Sequence, residues 1–295
     1  MRLRDKQLFV LSRHVSIQEP LLLGINLLRF SLLFLVACGV ANVNAEISAP
    51  FSTSNLSPFA QVHGLPASRG ARLLPSKAVS WEAQTQVANN YTENAHGRES
   101  ILIDGESYKF NFTLRYGLSD RWEVGIDLPF TRHEPGHLDP FIEGFHEIFG
   151  FSQANRENRA RNRLDYSYSS VENKLRLDKA ENDLGDVRLN LGYTVYQNNN
   201  RVWSLRGGLK LPTGNPKKFT GSDAIDVFAG LYFSDEVFFG VESLSFHCNI
   251  GAIALGNGEF IRSETKNLAA FGSSTLAWKL SPRFSLGVLF PQGLA

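Results

Sequence analysis

Apolar and polar residues alternate along most of this chain, in short runs joined by brief turns. Tyr108, Phe110, Phe112, Leu114, Tyr116 and Leu118 share one parity, against Lys109, Asn111, Thr113, Arg115 and Gly117 on the other. After Ser119-Asp120-Arg121 the pattern resumes, with Trp122, Val124, Ile126, Leu128 and Phe130 opposed by Glu123, Gly125 and Asp127. Successive side chains of a strand point to opposite faces, so this period of two predicts strands with one apolar and one polar face. The same period marks Val79–Val87, Val187–Val195, Trp203–Leu211, Ile225–Phe233, Val237–Val241, Leu276–Leu280 and Phe284–Phe290, for about nine strands in all. Each run is of the order of ten residues, the length that crosses a bilayer at a tilt.

Tight turns at 119–121, 198–200, 234–236 and 281–283 take turns with long connections at 91–107, 132–183, 213–223 and 256–267. Outer-membrane barrels show this asymmetry between the two ends of their strands. Aromatic residues flank each tight turn: Tyr116 and Trp122, Tyr196 and Trp203, Phe233 and Phe238, Trp278 and Phe284. Rings with one polar edge suit a lipid–water boundary. Tyr196 and Phe238 break the parity of their runs.

Alternation alone does not separate an inside-out barrel from a soluble sandwich or a lipocalin-like barrel. The polar face decides for the membrane, because it carries small or uncharged residues (Thr113, Gly117, Gly125, Gly192, Gly208) and charges of both signs. A soluble surface is richer in Lys and Glu. The inward candidates are Lys109, Arg115, Glu123, Asp127, Arg188, Arg206, Lys210 and Asp226; opposite charges on such a wall either fill it as ion pairs or line a narrow channel. Within the longest connection, Phe141, Ile142, Phe145, Ile148 and Phe149 recur at helical spacing and predict a short amphipathic helix over 139–150. The polar run 155–163 reads as a solvated loop.

The 295 residues include 22 Phe and no apolar run long enough for a transmembrane helix. Residues 1–45 read as a signal peptide with a long leader: Arg2, Arg4, Lys6, Arg13 and Arg29 precede the apolar Phe30–Val36, and Val43-Asn44-Ala45 supplies a small-residue cleavage site. Leu35-Val36-Ala37-Cys38 is the rival, a lipobox that would lipidate Cys38. Removing the leader leaves a slightly acidic chain with no basic patch for nucleic acid, and Cys248 without a cysteine partner. Residues 46–78, punctuated by Pro50, Pro58, Pro66 and Pro75, predict an irregular lead-in, either periplasmic or plug-like. Residues 79–295 are then the barrel. Even strand counts are the rule for single-chain bacterial barrels, so an odd count predicts a chain shortened at its C-terminus from a larger even-stranded barrel.

Several segments carry a resemblance. Asn55-Leu56-Ser57-Pro58-Phe59, Gly64-Leu65-Pro66, Ala71–Pro75, Leu102–Glu106, Arg115–Leu118, Phe141–His146, Leu184-Gly185-Asp186 and Leu209–Gly214 resemble, in order, the bacterial domain-of-unknown-function family 3187. The resemblance implies an exported outer-membrane barrel whose members continue with further strands. It implies no activity and no site residues.

Candidate chemistry is sparse. His133-Glu134-Pro135-Gly136-His137 matches a zinc-protease spacing, but that motif works on a helix and Pro135-Gly136 prevents one. A looser metal set would be His133, His137, Glu143 and His146. No nucleophile-elbow pattern occurs, and His247 lacks a Ser and acid context in sequence. The sequence therefore assigns no catalytic, cofactor or metal site and predicts a non-enzyme. It predicts a porin-like, all-β antiparallel barrel of the outer membrane, with lipid as its surroundings and small solutes as its cargo. The alternative is a structural or surface-interaction barrel working through its long loops, with an outer-membrane hydrolase ranked last.

Overall fold

The computed structural model describes residues 50, 52–152, 159–258, 260, 267–281 and 284–290. The expected signal peptide and lipobox lie outside the described residues. The strands are β1 (Val79–His96), β2 (Glu99–Ser119), β3 (Trp122–Glu134), β4 (Asp165–Ser169), β5 (Lys174–Leu177), β6 (Glu181–Leu184), β7 (Arg188–Gln197), β8 (Arg201–Lys210), β9 (Asp226–Asp235), β10 (Leu244–Ala254), β11 (Leu268–Ser281) and β12 (Phe284–Phe290). One helix, α1 (Asp139–Phe149), precedes β4. No helix among the described residues is long and apolar enough to cross a membrane, which says nothing about strands.

All the strands belong to one 12-stranded antiparallel sheet, in the order β12-β11-β10-β9-β8-β7-β3-β2-β4-β5, with β1 on β2 and β6 on β3. β1 runs the whole length of β2 on one side; β3, then β4, take the other side. Among the described residues the ladder does not run from β12 to β1, so the sheet is open at these two edges.

Several strand expectations need correction. The expected strand Val237–Val241 is a short 3-10 turn at Phe238–Gly240, because Phe239 and Gly240 have φ of 55° and 78°, which no strand tolerates. The strand in this place is β10, which starts seven residues further on, at Leu244. The connection expected at 91–107 is instead a hairpin: His96 pairs with Glu99 around Gly97, whose φ of 60° suits a two-residue turn. Residues 91–96 are polar on both faces, so the ladder continues there without any alternation to report it. β4, β5 and β6, all inside the connection 132–183, bring the count of described strands from about nine to 12.

Helix α1 forms where helical spacing placed it. Pro140 opens it, and Gly150 ends it at φ 68°, donating its N–H to the carbonyl of His146. Phe141, Ile148 and Phe149 on α1 are exposed.

The sheet's polarity is the reverse of a soluble protein's. On the apolar face Trp81, Phe110, Leu114, Leu191, Leu205, Val227 and Leu276 are exposed. On the polar face Lys109, Thr113, Glu123, Asp127, Arg188, Arg206, Lys210 and Asp226 are buried. Residues 52–78 cover that polar face. Their apolar side chains enter three clusters with inward residues of the sheet and with Phe219 of the β8–β9 connection: Val62 with Ile103, Tyr166 and Phe219; Leu65 with Phe228, Ile253 and Phe271; Ala71 with Val202 and Tyr232. The segment descends from the long-connection end, where Gln61 meets His133, to the tight-turn end, where the Ser76 N–H donates to Asp120, and then enters β1.

Gly117 on β2 makes the last seat of this segment. Lys77 N–H donates to its carbonyl at 2.7 Å, and its own N–H donates to Ala78 at 2.9 Å. A Cβ at this position would stand 2.0 Å from the Pro75 carbonyl oxygen, so only glycine allows the approach. Gly117→Val is expected to lift residues 74–78 off the sheet at a cost of about 1–3 kcal/mol, the usual range for overpacking. Limited trypsin digestion checks this: cleavage after Arg72 and Lys77 should accelerate, and an unchanged rate would mean that the segment is not seated there.

Candidate functional site

The polar face and the segment on it form the densest array of charged groups in the described structure. Sequence parity brought all eight inward candidates to one face, and the fold sorts seven of them into three ionic groups, with Lys109 standing apart. In the first, Asp127 binds Arg69 of the covering segment at 2.8 Å and lies 3.5 Å from Arg188, while Thr113 and Asn190 donate to its carboxylate at 2.7 and 3.0 Å. In the second, Glu123 accepts from Arg206 at 2.8 Å and lies 4.0 Å from Arg115. In the third, Lys210 bridges Asp186 at 2.6 Å and Asp226 at 3.2 Å, and also reaches the Ser222 hydroxyl. Asp186 was outside the sequence list because it precedes β7 and follows no strand parity.

The covering segment is held largely through its main chain. Arg188 donates to the Leu65 carbonyl at 2.8 Å; Arg206 donates to the Gly70 and Arg72 carbonyls, both at 3.1 Å; Lys210 donates to the Val62 carbonyl at 3.2 Å. In the opposite sense Asp226 accepts the Gly64 N–H at 2.8 Å, Ser234 the Ala71 N–H at 2.8 Å and Glu123 the Leu74 N–H at 2.9 Å. Wall cations thus take carbonyls, and wall acceptors take amides, along residues 62–74. Side-chain ties add Arg72 to Glu236 at 2.6 Å and the Ser68 hydroxyl to that of Ser273. Charged groups that leave water need such partners, since each buried ion otherwise loses several kcal/mol of hydration.

His63 lies in the covering segment beside the third group. Burial holds its pKa below the ordinary histidine value, against the pull of Asp226. A narrow polar cleft with room for about one water lies here, lined by Gln61, His63, Lys109, Pro129, Thr131, Gly185, Asp186, Arg188, Lys210 and Thr220.

The other sequence candidates scatter. His133 ends up buried near the end of β3, where its ring lies 3.0 Å from the Ser107 hydroxyl and 3.1 Å from the Phe219 carbonyl. Glu143 pairs with Arg161, and no group of three or more His, Cys, Asp or Glu among the described residues could hold a metal ion. Strand register makes two Ser–His contacts that spacing along the chain could not show: Ser107 opposite His133, and Ser234 opposite His247 at 2.7 Å. Both pairs are buried beneath the covering segment, where Ser234 also accepts the Ala71 N–H. They tie neighbouring strands together.

On the other face, the aromatic residues gather at the tight-turn end. Trp122 packs tilted against Tyr193 at 4.7 Å and Trp203 against Phe233 at 4.6 Å; Phe246 then meets Phe233 at 6.4 Å and Phe238 at 5.0 Å. The parity break at Tyr196 is a β-bulge between Thr194 and Tyr196, which turns both Val195 and Tyr196 outward.

Lys210→Met leaves the carboxylates of Asp186 and Asp226 facing each other without their cation. A loss of about 3–5 kcal/mol is expected, as for other broken buried ion groups. The urea unfolding midpoint of the folded protein measures it.

Comparison with known proteins adds one match: the family model described as "Protein of unknown function (DUF3187)" fits residues 27–292. No curated protein matches the chain.

Proposed function

This chain belongs to the DUF3187 family of proteins of unknown function, and we propose that it is a β-barrel protein of the bacterial outer membrane whose polar interior is occupied at rest by residues 52–78. Displacement of that segment would open a narrow passage for small solutes. One observation carries the reading: the face that a soluble protein would bury is exposed here, and the face that it would expose is buried. All four tryptophans of the chain, Trp81, Trp122, Trp203 and Trp278, stand on the exposed apolar face at 39–53% exposure. Lys210 and Asp226, on the opposite face, are 2% and 1% exposed. Lipid is the solvent that makes such an arrangement stable. The ring of aromatics at the tight-turn end supports a boundary at that level. In lipid the edges at β12 and β1 must be joined, directly or through further strands, because unpaired backbone groups there cost several kcal/mol each.

Fluorescence in vesicles of brominated lipid tests the membrane reading. With every tryptophan lipid-facing, quenching should reach most of the emission; a spectrum unaffected by bromine would overturn it. A second experiment tests the passage. The Ser68 and Ser273 hydroxyls touch, so Ser68→Cys with Ser273→Cys, in a Cys248→Ser background, should form a disulfide that pins the segment. Planar-bilayer recordings should be silent in the oxidised protein and show openings after reduction. Equal currents in both states would mean that the segment is not the obstacle, and silence in both would remove the passage.

The exposed Phe141, Ile148 and Phe149 of α1 favour a second reading, a surface contact made by the long connection. No chemistry is proposed for the chain.

A further inference from the structure

Four of the five inward cations are paired with the wall or with the covering segment: Arg115 with Glu123, Arg188 with Asp127 and Leu65, Arg206 with Glu123 and two carbonyls, Lys210 with Asp186 and Asp226. Lys109 is the exception. It sits on β2 opposite Thr131 of β3, is 7% exposed, and its ammonium makes no hydrogen bond or ion pair with any described residue. The carboxylates near it are already taken. Asp127 is shared by Arg69, Thr113, Asn190 and Arg188. Asp186 accepts from Lys210 and from the N–H groups of Gly214 and Ser222. Beside Lys109, the Nε–H of Arg188 is buried without a hydrogen bond, its nearest carboxylate oxygen being that of Asp127 at 3.5 Å.

Both groups line the same polar cleft, which leaves room for about one water. A buried ammonium without a hydrogen bond, beside a guanidinium N–H whose only carboxylate stands 3.5 Å away and is shared with Arg69, leaves room for further negative charge, and the space admits only a particle of water size. We infer that this cleft is a binding site for a small monovalent anion of halide size, held between Lys109 and Arg188, with the Thr131 hydroxyl at its side. Phosphate, sulfate and larger carboxylates are too bulky for it. The site lies between the wall and the covering segment, all in described residues, and does not depend on the sheet closing or on its lying in a membrane.

The full chain, folded in detergent, should melt about 2–4 °C higher in sodium chloride or bromide than in sodium gluconate at equal ionic strength, since gluconate cannot enter the cleft. Lys109→Met should abolish that difference. Crystals of the unaltered protein soaked in bromide at around 0.1 M should show an anomalous peak in the cleft; this measurement stands even where the variant does not fold. Equal melting in halide and gluconate, a halide effect that survives in Lys109→Met, or a bromide peak that appears only at molar salt would each overturn the site.

Discussion

An unhydrated ionic wall is the constraint on which this structure rests. Arg188, Arg206 and Lys210 are each more than nine-tenths buried. Their ordinary partner, water, is replaced by the carbonyls of Leu65, Gly70, Arg72 and Val62. An extended peptide is well suited to this substitution, because it presents carbonyls and amides alternately and the wall presents cations and acceptors to match. The consequence reaches the sequence: proline and glycine keep residues 52–78 out of helix and sheet, which leaves their main-chain groups free for the wall.

Three small apolar docks work together with these polar ties. Val62, Leu65 and Ala71 stand at different heights on the wall, each against inward-facing aromatic or aliphatic residues. Because cation–carbonyl bonds are strongly distance-dependent, docks that fix the segment along its length set the register in which Arg188 and Arg206 find their carbonyls. Gly117 serves the same end at the exit, by letting the chain pass close to β2 before it turns into β1.

Much of the wall was legible in the sequence, for a simple reason: strand side chains alternate, and a one-residue error would move every charge to the other face. Lys109, Glu123, Asp127, Arg188, Arg206, Lys210 and Asp226 all turned out buried on one face as their parity required. What stayed hidden was whatever does not follow parity. Residues 91–96 pair without alternating, β4 to β6 are too short to establish a period, and the turn at Phe239 and Gly240 depends on backbone angles. β10 is a different case, since Leu244, Phe246, Cys248 and Ile250 do alternate with Ser245, His247 and Asn249; the preceding aromatic run Val237–Val241 masked where it starts. The partners of the wall charges were out of reach for a further reason. Arg188 meets Leu65 across 123 positions and Arg206 meets Gly70 across 136, distances over which spacing carries no information.

The same long separations govern how the molecule can assemble. Residues 62–74 leave the ribosome before any strand, but their last tie, Ser68 to Ser273, needs β11. Until then the segment holds only part of its contacts, those to β7 and β8 among them. Contacts this distant along the chain form slowly. Seating of the early segment therefore comes last, and it reports that the wall has been built as far as β11: a polypeptide stalled short of that strand would leave its own beginning unfastened.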